Sequence, residues 1–271
     1  MYRINTLFAA MLAAATLMIS APTAKAATVD VDLMFVIDQS GSMGNEFTTL
    51  GARIGDVING LQGATNTTTG VTIGSVHAGL VSYEFNPALQ QAVTGDVSAL
   101  QTAFANTPLF GGTERGLTAV TSVLPGGSLF TAAGWRNNTV KSVILVTDEI
   151  GNDQAYTNGF GAGPTALGQL LDSVSYFNNI ITGASTTFTN YYGPAARPSS
   201  GLFDLNAFRL DATAFLTGFI DTKVQEITTG GTTTGGSTTP PNVIPLPAAG
   251  WMLIAGLGAL LGLRRRRMTA A

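Results

Sequence analysis

The apolar and polar residues in the middle of the chain follow two patterns, one of buried strands and one of amphipathic helices. The segment 29–37 begins with alternation and ends as a solid apolar run, and 141–147 is a second such run. Runs of this kind are typical of strands that are buried on both faces of a parallel sheet. Apolar residues at helical spacing predict helices over 45–61, 166–177 and 211–226.

Weaker patterns between these segments predict shorter elements. They are strands at 76–85, 89–93, 180–181 and 202–208, a helix capped by Asp96 that runs to Ala105, a helix from Thr113 to about Leu124, and a loop at 186–200. Strands that alternate with helices predict a doubly wound α/β domain, in which a mostly parallel central sheet is flanked by helices on both faces.

Both ends of the chain are predicted to be sorting signals that lie outside this fold. At the amino end, Arg3 precedes an apolar stretch over 7–19, and Ala24-Lys25-Ala26 places small residues at the two positions that a signal peptidase reads. This layout is typical of a secretory signal peptide, and we expect cleavage after Ala26. An N-terminal membrane helix is the less favoured alternative, because the apolar run is short and a cleavage site follows it.

The carboxyl end changes composition twice. Residues 228–242 are almost entirely Thr, Gly, Ser and Pro, which predicts a flexible linker. The apolar run from Leu246 to Leu263 has 18 residues, just enough for a transmembrane helix, and Arg264–Arg267 would hold its end on the cytoplasmic side. The predicted organisation is therefore a signal peptide (1–26), one domain (27–227), a linker (228–242) and a membrane-spanning tail (243–271).

This tail resembles the PEP-CTERM class of sorting signals, in the variant written V-P-L-P-A. Pro245, Leu246, Pro247 and Ala248 match the variant, and Ile244 stands where valine is usual. The resemblance implies a Gram-negative bacterium, transient retention in the inner membrane and removal of the tail by an exosortase. The mature protein would then reach the cell surface or the extracellular matrix. A simple C-terminal membrane anchor is the alternative.

The charge of the chain is unevenly distributed. All 16 acidic residues lie between Asp30 and Glu226, whereas six of the 13 Lys and Arg residues lie in the two ends. The predicted domain therefore has a net charge near −9, although the whole chain has only −3. This negative charge would repel nucleic acids and anionic membranes, which argues against both as partners, and it is compatible with a protein that binds cations.

The composition also limits the chemistry that the domain can perform. The chain has no cysteine and one histidine, His77, which excludes thiolate sites and histidine-rich zinc sites. It lacks the glycine-flanked serine of hydrolases, the phosphate-binding loops and the His-Glu-x-x-His motif. We therefore do not expect an enzyme. Metal-assisted hydrolysis, with Glu149 as the one visible base, is a less favoured alternative.

Two buried strands each end in an aspartate, Asp38 and Asp148, and ligands bind at the carboxyl ends of strands in sheets of this type. Ser40 and Ser42 follow Asp38 by two and four residues, so in a turn leaving the strand their hydroxyls can converge with its carboxylate. Hard oxygen ligands of this kind suit Mg²⁺, Mn²⁺ or Ca²⁺. The alternative is a turn that merely caps the first helix.

The segment 38–42 (Asp-Gln-Ser-Gly-Ser) resembles the metal-ion-dependent adhesion site, or MIDAS, of von Willebrand factor A domains. Residues 111–113 (Gly-Gly-Thr) resemble the second loop of that site, and 143–148 resemble the third. The resemblance implies one coordination position left open for an acidic group of a protein or polysaccharide partner. Mg²⁺ is the expected ion. The alternative to metal-dependent adhesion is a structural role in the matrix, in which the metal only stabilises the domain. The implied metal ligands are Asp38, Ser40, Ser42, Thr113 and Asp148, the last two directly or through water.

One residue departs from the family pattern, because Glu149 stands where glycine usually follows the third-loop aspartate. This change bears on the type of ligand more than on the metal. We expect Glu114 and Asp153, which are close in sequence to site residues, to be solvated surface charges; a second cation site or repulsion of acidic partners is the alternative. Among the aromatic residues near the loops, Phe110 is expected to be packed and Tyr191–Tyr192 to lie in an exposed loop.

Overall fold

The computed structural model describes residues 27–151, 156–157 and 161–230. The predicted signal peptide, the linker from residue 231 onwards, the predicted sorting tail and Asp153 lie outside these residues. Within the part of the chain that is described, no helix is both long enough and apolar enough to cross a bilayer.

Six strands form the central sheet: β1 (Thr28–Asp38), β2 (Thr72–Tyr83), β3 (Pro87–Thr94), β4 (Val140–Val146), β5 (Phe177–Thr182) and β6 (Leu202–Asp204). Their order across the sheet is β3-β2-β1-β4-β5-β6. All neighbouring pairs are parallel except β2 and β3, which are antiparallel. A separate antiparallel ribbon joins Tyr156–Thr157 to Gly161–Ala162.

Helices cover both faces of this sheet because alternate residues of β1 point to opposite sides. The helices of the described residues are α1 (Gly44–Leu61), α2 (Val97–Asn106), α3 (Gly116–Ser122), α4 (Pro164–Val174), α5 (Thr186–Tyr192), α6 (Leu205–Leu210) and α7 (Ala212–Gly230). Leu33 and Phe35 belong to a core that includes apolar residues of α1, α2 and α7, whereas Met34 and Val36 pack in a second core with α3 and α4. This confirms the predicted α/β class, with a mostly parallel central sheet and flanking helices.

Two predicted boundaries and one predicted loop are wrong in the second half of the chain. The helix predicted to reach 177 ends at Val174, because Ser175 takes a left-handed conformation (φ 58°) and closes it. The segment 186–200, predicted as a loop, contains α5 and a 3₁₀ turn at Gly193–Ala195. The strand predicted over 202–208 stops at Asp204, whose side chain accepts a hydrogen bond from the backbone N–H of Asn206 and so begins α6.

The last helix extends three residues into the segment assigned to the linker. Thr228 is fully buried, and its hydroxyl accepts a hydrogen bond of 2.8 Å from the side-chain amide of Asn66. A buried polar contact of this kind fixes the end of α7 against the loop between α1 and β2. Composition alone does not reveal it, because threonine is common both in linkers and at satisfied buried positions.

Candidate metal site

The parallel register brings the first and third predicted loops to the same edge of the sheet. Ile37 of β1 pairs with Val146 of β4, so the residues that follow, Asp38 and Thr147, lie side by side at this edge. The hydroxyl of Thr147 donates to Oδ2 of Asp38 at 3.2 Å. Asp148 therefore begins the third loop directly beside the first.

Four of the five predicted metal ligands are joined by hydrogen bonds at this edge. The backbone N–H of Ser40 donates to Oδ1 of Asp38 at 2.8 Å, and the Oγ atoms of Ser40 and Ser42 lie 3.0 Å apart. The hydroxyl of Ser42 donates to Oδ1 of Asp148 at 3.2 Å. Carboxylate and hydroxyl oxygens from two distant segments thus converge, although their role as metal ligands stays a prediction.

The fifth predicted ligand, Thr113, is not part of this network. It is half-buried, and no hydrogen bond within the described residues joins it to the other four. Its loop is nevertheless close, because the backbone N–H of Phe110 donates to the carbonyl of Gln39 at 2.9 Å. Gly111 allows the approach: it has φ 110°, and a Cβ there would lie 2.2 Å from Cγ of Glu84.

The site concentrates negative charge in a buried place. Asp38 is fully buried, and this burial, together with the charge of Asp148, raises the pKa of its carboxyl to about 6 despite hydrogen bonds from Ser40. A carboxylate that is costly to ionise where it lies fits a position next to a cation, which would offset that cost.

Glu114 differs from its predicted solvated state. It is only 1% exposed, because the chain enters the core there to begin α3, and its Oε2 atom has no hydrogen-bond partner among the described residues. Burial, followed by a hydrogen bond with Glu149 and the charges of Asp38 and Asp148, raises the pKa of Glu114 to about 8. Glu149 itself is exposed.

An arginine that the sequence patterns did not single out lies at the same edge. Arg209 of α6 donates from Nη2 to Oδ2 of Asp148 at 2.9 Å, and its Nε forms an ion pair with Glu46 of α1. Glu46 is 2% exposed. The sequence does hold one signal of this ion pair: Glu46 lies one helical turn before Leu50, on the apolar face of α1, where a charged residue needs a partner.

Tyrosines of α5 hold the third loop in place, contrary to the predicted exposed loop. Tyr192 is fully buried, and its hydroxyl donates to the carbonyl of Glu149 at 2.8 Å. The hydroxyl of Tyr191 donates to the carbonyl of Gly151 at 3.2 Å. Phe110 also differs from its prediction, since it is exposed and not packed.

The donor set fits a hard divalent cation. It consists of two carboxylates and two hydroxyls, all of them oxygen ligands, beside an open groove of about 450 Å³ lined in part by Ser42, Asp148 and Arg209. Within the described residues, no group of three or more His, Cys, Asp and Glu side chains is arranged to hold a metal ion. A cation at this edge would therefore depend on the serine hydroxyls.

Comparison with known proteins supports the fold. Residues 33–151 match the family model of the von Willebrand factor type A domain, a segment that contains all three predicted loops. A search of curated proteins finds no match to the chain.

Solved structures with this fold include two proteins of different origin. One is proximal thread matrix protein 1 from the mussel byssus with a zinc-occupied MIDAS motif (TM-score 0.53, 14% identity, 73% of this chain and 48% of that one). Another is the vWF domain of the type V pili tip protein Mfa5 from Porphyromonas gingivalis (TM-score 0.51, 16% identity, 73% of this chain and 96% of that one). This chain spans about half the length of the mussel protein, and identities this low show the fold alone.

Proposed function

We propose that this chain, whose residues 33–151 match the von Willebrand factor type A model, binds a divalent cation at the carboxyl edge of its sheet and, through that cation, a partner. The observation that carries the proposal is the hydrogen-bonded cluster of Asp38, Ser40, Ser42 and Asp148. Two independent strands deliver these groups to one point, which a turn that only caps α1 does not require.

In this proposal Asp38, Ser40 and Ser42 hold the cation, and Thr113 and Asp148 complete its shell directly or through water. The cation supplies a positive centre with an open position that an acidic group of the partner fills. Mg²⁺ is the expected ion, with Mn²⁺ and Ca²⁺ as alternatives. Zn²⁺ belongs in any test, since a structural neighbour was solved with zinc in its MIDAS motif.

We place the protein outside the cell, at the surface or in the extracellular matrix of a Gram-negative bacterium. The support is the resemblance of residues 1–26 to a signal peptide and of 243–271 to a PEP-CTERM tail. On this proposal the tail anchors the chain transiently in the inner membrane until an exosortase removes it. The named sources of the structural neighbours, a byssus matrix and a pilus tip, are consistent with an adhesive or matrix role.

A structural role in the matrix, in which the cation only stabilises the domain, is the second candidate, and the mussel matrix protein among the neighbours favours it. In either case we propose a binding protein and not an enzyme. Attachment of cells to the immobilised protein distinguishes the two candidates: loss of attachment in EDTA supports adhesion, and attachment that EDTA leaves unchanged supports the structural role.

The cation site is tested by calorimetry and thermal unfolding of the purified full-length chain with and without Mg²⁺. We expect Mg²⁺ to bind and to raise the melting temperature of the wild type, because a ligand stabilises the state that binds it. Asp38→Ala and Ser42→Ala should lose both effects. Ser42 is exposed, so its variant keeps the test valid if Asp38→Ala does not fold.

The matched control is Asp56→Ala, which removes an exposed carboxylate of α1 that pairs only with Arg53 among the described residues. It should bind Mg²⁺ as the wild type does. Absence of a Mg²⁺ effect on the wild type, or equal binding by Asp38→Ala and Ser42→Ala, would refute the proposed site.

A further inference from the structure

Four large apolar side chains are exposed among the described residues, and two of them contact the 38–44 segment. They are Phe85, Leu109, Phe110 and Leu210, with 47%, 42%, 53% and 89% of their surfaces exposed. The first three lie in the loops after β2 and before α3, which approach each other where Gly111 lies against Glu84. We call Phe85, Leu109 and Phe110 the apolar ridge.

Backbone and side-chain contacts join the ridge to the metal-site loop. The backbone N–H of Phe110 donates to the carbonyl of Gln39, inside the 38–42 segment. Leu109 lies against the first turn of α1, since a Cβ on Gly44 would be 3.3 Å from its Cδ1. The ridge is therefore continuous with the proposed cation site.

A groove of about 470 Å³ begins at Leu109 and runs between α1 and α2, where Phe104 and Gln101 also line it. It is large enough to receive a side chain that reaches past the ridge. Apolar surface at such a position gains free energy when a partner removes it from water.

The ridge also carries a cation. The guanidinium carbon of Arg115 lies 3.6 Å from the ring centroid of Phe85, and no ion pair joins Arg115 to an acidic side chain in the described ranges. The domain around it is strongly acidic. An available positive charge on such a surface favours an acidic partner.

We propose that the cation site and the apolar ridge form one surface that binds a protein segment in which a carboxylate side chain is flanked by apolar side chains. This inference rests on the proposed function, since the carboxylate goes to the cation while the flanking side chains cover Leu109 and Phe110. A polysaccharide fits less well, because the side chains of the ridge offer its hydroxyls no hydrogen-bond acceptors.

Synthetic peptides and one acidic polysaccharide test this surface on the purified full-length chain loaded with Mg²⁺. The first peptide set has a central Glu flanked by Leu and Phe, the second has the Glu flanked by Ser and Gly, and the polysaccharide is polygalacturonate. We expect the apolar set to bind about tenfold more tightly than the polar set, the effect of burying roughly one or two side chains. The double variant Leu109→Ser/Phe110→Ser should remove this preference.

Leu210→Ser is the matched control, because it removes an even more exposed apolar side chain outside the ridge, and it should leave the preference unchanged. Equal binding of the two peptide sets, tighter binding of polygalacturonate, or a full preference in the double variant would overturn the inference. Calorimetry with Mg²⁺ alone is performed on every variant. Failure of the wild type to bind Mg²⁺ counts against the proposed function, whereas intact Mg²⁺ binding without the peptide preference counts against the ridge alone.

Discussion

Glu114 shows how a single side chain sets the electrostatics of the candidate site. It is buried beside Asp38, Asp148 and Glu149, and its pKa is raised to about 8, from an ordinary value near 4.5. At neutral pH in the absence of metal, the folded protein therefore keeps Glu114 protonated while the unfolded chain ionises it. This difference in bound protons makes stability depend on pH.

We predict that Glu114→Gln stabilises the metal-free protein more at pH 8 than at pH 5. A raised pKa contributes stability that is present below about pH 4.5 and is lost as the pH rises towards 8, at no more than about 1.4 kcal/mol per pH unit for one proton. Gln imitates the protonated form of Glu114 but does not titrate, so the variant keeps this stability as the pH rises. Urea unfolding in EDTA across this range measures the difference, and a constant difference between the two proteins would contradict the raised pKa.

At the scale of single residues, the sequence predicts contacts within one loop better than contacts between different elements. Asp38, Ser40 and Ser42 follow one another at intervals of two residues, so a single turn can bring them together whatever the rest of the chain does. Arg209 and Glu46 are 163 residues apart, and their pairing depends on how α6 packs on α1. No local pattern carries that information, although the charge of Glu46 on an apolar helix face signals a hidden partner.

At the scale of elements, α6 connects the site to the rest of the domain. It is a short helix, yet its Arg209 contacts both α1, through Glu46, and the loop after β4, through Asp148. A buried carboxylate such as Glu46 needs a cation nearby, because burying it alone is costly. The ion pair therefore helps to fix the position of α6 beside the candidate metal site.

We predict that Arg209→Gln lowers the free energy of unfolding by about 2–4 kcal/mol, because it leaves Glu46 buried without its cation. The double variant Arg209→Gln/Glu46→Gln should recover most of this loss, and a double-mutant cycle by urea unfolding measures the coupling. Arg53→Gln is the control, since its pair with Asp56 is exposed and should contribute less than about 1 kcal/mol. Equal losses for the two single variants would show that Arg209 has no special role.

Elements with a strong period could be predicted, and those held by tertiary contacts could not. The buried strand β1 and the amphipathic helix α1 have clear patterns, and the sequence places both within a residue or two of their observed bounds. In α5 the sequence Thr-Thr-Phe-Thr-Asn-Tyr-Tyr has weak helix formers, and its three aromatic residues stand at helical spacing over less than two turns, a run too short to predict a helix. These residues pack against the second core, and the tyrosine hydroxyls bind the third loop, contacts that the sequence does not reveal.

At the scale of the whole molecule, the two ends of the sheet hold charge in different ways. At the carboxyl edge the carboxylates exceed the cations, which suits the proposed cation site. Towards the amino ends of β4 and β5, Lys223 of α7 is fully buried, and its Nζ donates to Ser142, Asn179 and Glu226 at 2.7–2.8 Å. Asn179 also donates to the second oxygen of Glu226 at 2.9 Å, so this network is closed without any ligand.

We predict that Lys223→Met destabilises the domain by about 3–5 kcal/mol, because Glu226 would remain buried without its cation. Replacing both residues, as in Lys223→Met/Glu226→Leu, should restore much of that loss, since an apolar pair of similar volume avoids the desolvation cost.

Mg²⁺ affinity should stay within about twofold in both variants, because Ser142 and Asp148 are six residues apart along the chain, on the order of 20 Å at the rise of an extended strand. Urea unfolding measures the first effect and calorimetry the second. If Lys223→Met weakened Mg²⁺ binding as strongly as Asp38→Ala does, the two ends of the sheet would be coupled, and the separation of a structural charge network from a binding charge cluster would be wrong.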